Sequence, residues 1–478
     1  MTLLEEDFHA LRIPSQGFTD IPEGAFNTLL EYCEFTTVAK LRLVNRATKA
    51  AVERSGRIRT KLVCDEAKDR VVWTFDERRK KSASSQFIWN DSKEANYWLS
   101  LLTKVEWSEV TLHEGQCTAT RIVRQMSALR HVAMVEEALE IIEKVRPFHL
   151  KVFNVEWPIG VGWPGLGAFV KRVNASTLPY TVKFAFWGDI PAYKNPRIIL
   201  GNKFKDVVFR GWTDIPKLLR CIQFARNVEV DRVVFYDIHG IKLSELAKMV
   251  APCAFVKKLE LADGCSDLDG PQPNEFLSPK VSHFSVSNTC FHNARSGRYG
   301  SCPVEELTVL DTPDFTEFYT FPNIQRLTLM SDECHDPFDC HNLIKRVRSF
   351  KLMAHPSGLP KKDVFSRSRI VRLEIILHVT KISRDGHPRV LAPVRSIKTL
   401  SEFTLILSTW KTPSPRTLKP GNEYRTLLND FARNLANSEN MLQSFNVGIF
   451  HRQNDDAEIS FKACQQTLTL NSQQLKTL

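Results

Sequence analysis

Short segments in which apolar and polar residues alternate recur along most of the chain and predict β-strands. Val182–Phe186, Leu259–Leu261 and Leu327–Leu329 are typical of them. An alternation of period two places one face of a strand against a core and leaves the other face exposed to solvent. Between residues 184 and 373 the segments recur about every 20 to 26 residues, so the pattern predicts one structural unit repeated in series.

Helical patterns separate several of these strands. Leu243–Val250, Ile215–Ile222 and Leu166–Val173 have the composition of short helices. A strand, a turn and a returning helix make one coil of a solenoid, and each coil buries its apolar edge only against its neighbours. The sequence therefore predicts an α/β fold with a parallel sheet, in which a long stretch of chain forms one domain.

The repeating pattern resembles the irregular leucine-rich-repeat domains that follow F-boxes in many substrate receptors. In the best repeats a polar pair precedes the first apolar residue, as in Lys257-Lys258-Leu259 and Gln325-Arg326-Leu327. The asparagine that usually follows the paired leucines is absent from most coils, and Asp263 and Asp311 occupy comparable places. The wider spacings before residue 184 and after residue 373 leave insertions or a different structure open at both ends.

The polar positions between paired apolar residues predict a surface for partner binding. They should line up across neighbouring strands on the concave side of a solenoid, where repeat proteins commonly bind partners. A plain solvated sheet face is the alternative interpretation. The predicted substrate-binding residues are Glu260, Ser285, Thr308, Thr328, Lys351 and Glu374, with Thr404 in the corresponding position of the next segment.

A different pattern, with a period near 3.6, occupies residues 19–54. Asp20 suits a helix N-cap and Pro22 suits the first turn, and a first helix is predicted from the apolar stripe formed by Phe26, Leu29, Leu30 and Cys33. A second helix is predicted after new caps at Thr36-Thr37, from the spacing of Val38, Leu41, Val44 and Val52. A helical hairpin of this size does not hold a core alone, so it needs a partner surface.

This stretch resembles an F-box. The resemblance is carried by Ile21-Pro22-Glu23, Phe26, Leu29-Leu30 and the run Leu41-Arg42-Leu43-Val44-Asn45-Arg46. It covers about 35 residues, with Ile21 where the family usually has leucine and Thr37 where it often has an acidic residue. It implies binding of a Skp-type adaptor and, through it, a cullin ubiquitin ligase. The residues implied to contact the adaptor are Ile21, Pro22, Phe26, Leu29, Leu30, Val38, Leu41 and Val44.

Together the two resemblances predict three domains: an F-box-like helical domain at 15–56, a connector with a basic loop at 57–104 and a leucine-rich-repeat-like solenoid at 105–478. The expected function is that of a substrate-recognition subunit of an SCF-type ubiquitin ligase, with catalysis in other subunits and no cofactor. Two alternatives stay open: an amino-terminal hairpin that packs on the rest of the chain, and a leucine-rich-repeat interaction scaffold with no ligase role.

Composition narrows the partners and the compartment. The formal net charge is +11 and the sequence pI is about 9.1, which permits attraction to acidic partners. The basic residues are dispersed and form no nucleic-acid reader motif, which argues against a nucleic-acid partner. The acidic start of the chain, the absence of a long apolar run and eleven cysteines without a C-x-x-C pair predict a cytoplasmic or nuclear protein with no membrane span.

Three motifs with possible chemistry have simpler explanations. Residues 160–165 match G-x-G-x-x-G, but Pro164 removes a backbone donor and Trp163 adds bulk, so a turn entering a helix is the better interpretation. Cys334, Cys340 and their neighbouring histidines have the wrong spacing for a zinc site and predict a surface loop. The glycosylation triplet at 174–176 has no secretory context.

Overall fold

The structure is a computed structural model of the 478-residue chain. It describes residues 22–32, 41, 44, 46–54, 59–65, 70–75, 87–88, 106–113, 139, 142–143, 152–157, 163–187, 197–211, 218, 220–238, 243–262, 265, 280–287, 300–310, 319–330, 341–354, 365, 367–378, 394, 396–409, 442–451, 460–464, 466–471 and 473–474.

Within these residues the fold is α/β, with mostly parallel strands and few helices, as predicted. The chain divides into two compact units, Met1–Val207 and Val208–Leu478. The helices are α1 (Glu23–Tyr32), α2 (Arg46–Arg54), α3 (Trp163–Ala175), α4 (Leu243–Val250) and α5 (His341–Ile344). The domain boundaries expected at 56/57 and 104/105 stay predictions.

The first unit contains a mixed sheet. The strands of this unit are β1 (Arg59–Asp65), β2 (Arg70–Phe75), β3 (Phe87–Ile88), β4 (Glu106–His113), β5 (Val152–Trp157), β6 (Thr181–Trp187) and β7 (Ile198–Leu200), of which β7 is not part of the mixed sheet. Strands β1, β4, β5 and β6 pair in parallel in that order, while β2 pairs antiparallel with β1 and β3 antiparallel with β2. The division between the units falls inside β8 (Phe204–Arg210).

The second unit is built on a long parallel array. Its strands are β9 (Ile222–Phe224), β10 (Glu229–Tyr236), β11 (Phe255–Leu261), β12 (Val281–Ser287), β13 (Gly300–Ser301), β14 (Glu306–Leu310), β15 (Tyr319–Thr320), β16 (Arg326–Met330), β17 (Ser349–Ala354), β18 (Arg372–His378), β19 (Glu402–Thr409), β20 (Ser444–His451) and β21 (Gln466–Asn471).

Nine strands of this unit pair in parallel, in the order β10, β11, β12, β14, β16, β17, β18, β19 and β20. Strand β21 then pairs antiparallel with β20. On the returning side of two coils, β13 and β15 form a second, smaller parallel pair. The array therefore continues past residue 373 in the same arrangement, with longer connections between its strands.

A repeated backbone contact joins successive coils of the array. The carbonyl oxygen of Gln325 accepts hydrogen bonds from the N–H groups of Arg348 and Ser349, and the carbonyl oxygen of Arg348 accepts from Val371 and Arg372. The carbonyl groups of Glu305, Val371 and Ser401 each accept a corresponding pair from the next coil. The paired contacts are made by main-chain N–H groups, and the Ser401 hydroxyl adds a third donor to the Val371 carbonyl oxygen at 3.2 Å. Because the paired contacts are main-chain contacts, coils of different sequence can keep the same geometry.

The core of the second unit is formed by the paired apolar residues of the strands. Phe284, Leu307, Phe350 and Phe403 are completely or almost completely buried. The rings of Phe403 and Phe445, which are register partners on β19 and β20, stack with their centroids 5.6 Å apart. Burial of these side chains is the main stabilising contribution to an array in which each coil contacts only its neighbours.

The strand predictions are confirmed, because each predicted apolar segment lies in a strand. The helices predicted at Leu166–Val173 and Leu243–Val250 are present as parts of α3 and as α4. The helix predicted at Ile215–Ile222 is partly wrong, because Ile222 belongs to β9. The zinc candidates Cys334 and Cys340, and the motif glycines Gly160 and Gly162, lie outside the described residues.

Candidate protein-recognition surfaces

The predicted adaptor-binding residues divide into buried and exposed sets. In α1, Phe26 and Leu30 are buried, whereas Leu29 is exposed, as is Pro22 before the helix. The N–H group of Phe26 donates to the carbonyl oxygen of Pro22 at 3.0 Å, which confirms that a helix starts where the Asp20-Pro22 signal predicts. Buried apolar side chains hold a local core, and exposed ones are available to a partner.

The second predicted helix is confirmed in part, because Leu41 is helical and Val52 lies in α2. It is not one continuous element: Val44 lies in a turn, where its N–H group donates to the carbonyl oxygen of Leu41 at 3.2 Å, and α2 begins at Arg46. Val38, Leu41 and Val44 are three residues apart, and a three-residue step advances only about 300° around a helix, so such residues drift off one face. Leu41 is buried and Val44 is exposed; Ile21 and Val38 lie outside the described residues.

The predicted substrate-binding residues do line up across the array. Glu260 pairs in register with Ser285, Ser285 with Thr308, and Thr308 with Thr328. The register continues from Thr328 through Lys351, Glu374 and Thr404 to Asn446. We call this set the central row; its members are Glu260, Ser285, Thr308, Thr328, Lys351, Glu374, Thr404 and Asn446. Ser285 is buried, and the others are half-buried.

A second row of the same face carries most of its charge. It lies two residues before the central row on each strand, and consecutive members are register partners. We call it the charged row; its members are Arg232, Lys258, His283, Glu306, Arg326, Ser349, Arg372, Glu402 and Ser444.

Ion pairs connect the charged row with itself and with the central row. Glu260 accepts from Arg232 at 3.0 Å and from Lys258 at 2.9 Å, and Lys351 lies 3.1 Å from Glu374. Along the charged row, Arg326 pairs with Glu306 at 3.4 Å and Arg372 with Glu402 at 3.0 Å. This arrangement orders long side chains that would otherwise be mobile.

Two pKa values on this face are shifted. Burial opposes ionisation of Glu260, but the hydrogen bonds and positive charges of Lys258 and Arg232 outweigh it and hold its pKa below the ordinary value. Burial lowers the pKa of His283 to about 4, helped by Lys258 and Arg326 and opposed by Glu306 and Glu260. The imidazole of His283, which lies 2.9 Å from Thr308 Oγ1, is therefore neutral at pH 7.

A third row of this face is apolar and was not predicted. It lies two residues after the central row, and its members are Leu310, Met330, Met353, Ile376, Ile406 and Gly448; we call it the apolar row. Met353, Ile376 and Ile406 are buried with Phe450, and Met330 together with Phe461 and Cys464 of the C-terminal segment packs against this cluster. Leu310 and Met330, at the other end of the row, are half-buried.

Gly448 lets the C-terminal segment approach the sheet. A Cβ atom at this position would lie 2.6 Å from Cys464 Sγ and 2.9 Å from Cys464 Cβ. The sequence did contain a signal for this covered region. The runs Leu352-Met353-Ala354, Ile375-Ile376-Leu377 and Leu405-Ile406-Leu407 are apolar throughout, as is typical of strands buried on both faces.

The motifs with possible chemistry have structural explanations where they are described. The helix predicted after the glycine motif is present as α3, but it begins at Trp163, inside the motif and three residues before the predicted start at Leu166. The side-chain amide of Asn174 donates to the carbonyl oxygen of Ile199 at 2.9 Å and accepts from the N–H group of Gly201 at 3.1 Å. That use of both amide atoms agrees with setting the glycosylation triplet aside.

Burial keeps two of the described cysteine thiols protonated. Burial raises the pKa of Cys302 to about 12 and that of Cys253 to about 11, so both thiols are protonated at neutral pH. Among the residues with assigned positions, no three histidine, cysteine, aspartate or glutamate side chains gather as metal ligands. No described helix combines the length and apolar character needed to span a bilayer.

Comparison with known proteins adds no relative. No protein-family model matches the chain, and a search of curated proteins finds no significant match. Two surfaces therefore have to be interpreted from their own residues. One is formed by the exposed apolar side chains of the amino-terminal region, and the other by the three rows on the sheet of the second unit.

Proposed function

We propose that this protein is a substrate-recognition subunit of an SCF-type ubiquitin ligase, in which an F-box-like amino-terminal region binds a Skp-type adaptor and an irregular leucine-rich-repeat-like solenoid holds a protein substrate. Ubiquitin transfer would be catalysed by other subunits, so the chain itself needs no cofactor. The proposal includes a cytoplasmic or nuclear location for the protein.

The observation that carries the proposal is the pairing of two features in one chain. Pro22, Leu29 and Val44 expose apolar surface at the positions where the F-box resemblance implies adaptor contacts, while Phe26 and Leu30 of the same segment are buried. An array of parallel strands with an in-register polar row follows. A docking segment joined to a recognition surface is what a substrate receptor requires.

Capture of a purified Skp-type adaptor by the full chain tests this proposal. The double substitution Leu29→Ala and Val44→Ala removes exposed apolar groups, so we expect it to abolish capture without changing the midpoint of thermal unfolding. The matched control is Ile199→Ala with Val371→Ala, which removes equally exposed apolar groups elsewhere. We expect the control to bind the adaptor normally.

Two results would count against the proposal. One is failure of the intact chain to capture the adaptor. The other is an equal loss of capture in the Ile199→Ala, Val371→Ala control, since that would point to non-specific apolar adhesion. Binding of other proteins with no adaptor binding would instead favour a repeat scaffold without a ligase role.

A further inference from the structure

We propose that the exposed part of the sheet face in the second unit, formed by β10 to β18, binds an extended acidic protein segment that carries one apolar side chain. This rests on the proposed function only in that it names the class of substrate that such a receptor would hold. The surface itself is defined by the charged row, the central row and the half-buried end of the apolar row, Leu310 and Met330.

The first argument is the direction in which the charges of this face are presented. In the Arg326–Glu306 pair the arginine side chain is 60% exposed and the glutamate 27%. In the Arg372–Glu402 pair the values are 67% and 46%, and in the Arg232–Glu260 pair they are 40% and 13%. In the Lys351–Glu374 pair the two exposures are similar, and in the His283–Glu306 contact the glutamate is the more exposed. The outermost charge is therefore positive, although the face contains both signs.

The second argument is that the arginine side chains keep hydrogen-bond donors for a partner after making their ion pairs. A guanidinium group carries five N–H donors in a planar fork. Arg326 and Arg372 each make their ion pair through Nε, at 3.4 Å to Glu306 and 3.0 Å to Glu402. A partner carboxylate can therefore bind at the terminal nitrogens without breaking the internal pair. His283 is neutral at pH 7 and adds no charge to this surface.

The third argument is the apolar row. Phe461 and Cys464 of the protein's own C-terminal segment pack against the cluster formed by Met353, Ile376, Ile406 and Phe450. That intramolecular contact shows which kind of side chain lies on this row. Leu310 and Met330 continue the row on β14 and β16; Met330 packs against the same cluster, but both side chains stay half-buried. An aliphatic or aromatic side chain of a partner would complete the burial at this end.

The spacing of the rows fits an extended peptide. Arg326 and Arg372 stand on β16 and β18, two strand intervals apart, which is about 10 Å. Three residues in polyproline II conformation span about 9 Å, and residues i and i+3 then point the same way. Two acidic side chains at i and i+3 would meet the two arginines. An apolar side chain between them would be directed to the other side, towards Met330.

A binding assay with synthetic peptides tests the proposal on the full chain. The probe is a fluorescein-labelled peptide with two glutamates three positions apart and a leucine between them. One twin carries glutamine for both glutamates, and a second twin carries alanine for leucine. From fluorescence anisotropy we expect the glutamine twin to bind at least tenfold more weakly, and the alanine twin about threefold to tenfold more weakly.

Protein variants locate the site. Arg326→Gln with Arg372→Gln should weaken binding of the glutamate–leucine peptide at least tenfold. The control is Arg220→Gln with Lys248→Gln, which removes the same charge from exposed residues that belong to none of the rows. We expect the control to bind within twofold of the unchanged protein. Thermal unfolding of each variant shows whether the fold is intact.

Three outcomes would overturn the proposal: no binding of the glutamate–leucine peptide by the unchanged protein, equal binding of its alanine twin, or equal weakening in the Arg220→Gln, Lys248→Gln control. The last, joined with tight binding of a single-stranded oligonucleotide, would show attraction of any polyanion to a basic chain. Adaptor capture is measured separately, so its failure leaves the peptide result interpretable, and the reverse also holds.

Discussion

Gly448 illustrates how one missing side chain decides what can lie on the sheet. Its Cα faces Cys464, and a Cβ at that position would come within 2.6 Å of the Cys464 sulfur and 3.3 Å of the Phe461 ring. Contacts that short require the C-terminal segment to move away from β20. Gly167, on α3, differs completely, because an added Cβ would meet nothing within 4 Å.

We therefore expect Gly448→Ala to destabilise the protein by about 1 to 3 kcal/mol, through overpacking against Cys464. Gly167→Ala is the matched control and should stabilise by about 0.4 to 1 kcal/mol, because alanine is favoured over glycine inside a helix. Urea unfolding measures both. Similar changes for the two variants would contradict the close approach of the C-terminal segment.

The buried imidazole of His283 makes a second prediction at this scale, for the pH dependence of stability. Its folded pKa of about 4 lies below the ordinary value of 6.5. Between these values the unfolded chain binds a proton that the folded chain does not, so stability falls as the pH is lowered from about 6.5 to 4. The predicted loss is on the order of 3 kcal/mol.

Replacement of His283 by glutamine should remove that part of the pH dependence. We expect the difference in unfolding free energy between the two proteins, measured in urea at steps from pH 7.5 to 4.5, to change steeply below pH 6.5. Parallel curves over this whole range would show that the imidazole titrates normally in the folded state.

Some of these residues were open to prediction from sequence, and others were not. Thr308, Thr328 and Lys351 were found because each lies between two apolar residues, a local pattern of period two. Gly448 and the covered end of the apolar row depend on a segment that follows later in the chain and packs back on the sheet. The apolar runs on β17, β18 and β19 indicate that this part of the face is covered, but local periodicity does not say which later segment covers it.

At the scale of elements, one main-chain contact repeats between successive coils: a carbonyl oxygen of one coil accepts hydrogen bonds from two N–H groups of the next. The N–H group of Val371 donates to the carbonyl oxygen of Arg348 at 2.8 Å, while the Val371 side chain is exposed. The effect of a substitution here should therefore come from the backbone. The strands themselves were predictable, because alternating apolar and polar side chains require a core on one face of each strand.

Val371→Pro removes the N–H group and leaves Arg348 with one of its two donors. We expect a loss of about 1 to 3 kcal/mol in unfolding free energy. Val371→Ala keeps the N–H group and should change stability by less than about 0.5 kcal/mol. Chemical denaturation separates these results, and an equal effect of both substitutions would assign the role to the side chain instead.

Helix ends were harder to predict than strands. The second amino-terminal helix was expected as one element from Val38 onwards, whereas Leu41 is helical, Val44 lies in a turn and the separate helix α2 begins at Arg46. Apolar residues at three-residue steps suit a turn as well as a helix, so their spacing alone did not define the boundary. α4 was predicted with its observed ends, Leu243 and Val250.

For the molecule as a whole, the array predicts which strands of the second unit lose stability when one core residue is replaced. Each coil contacts only its neighbours, so its stability is a sum of local and nearest-neighbour contributions. Leu307 on β14 is fully buried. Leu307→Ala should cost about 2 to 5 kcal/mol locally and should reduce hydrogen-exchange protection most in β12, β14 and β16.

Exchange followed by mass spectrometry tests this gradient. Peptides from β19 and β20 should keep nearly the protection they have in the unchanged protein, and Phe403→Ala should produce the opposite distribution. Uniform loss across all strands in both variants would mean that the unit unfolds as one cooperative block.

The shared carbonyl groups have a practical consequence for anyone who wishes to alter this protein. Because main-chain hydrogen bonds and the buried core set the spacing of the coils, the exposed positions of the charged and central rows can be exchanged one at a time without a change in the distance between them. The second unit is therefore a natural template for a library: a fixed grid of display positions, about 5 Å apart across the strands and about 7 Å apart along them, on which new binding specificities can be selected.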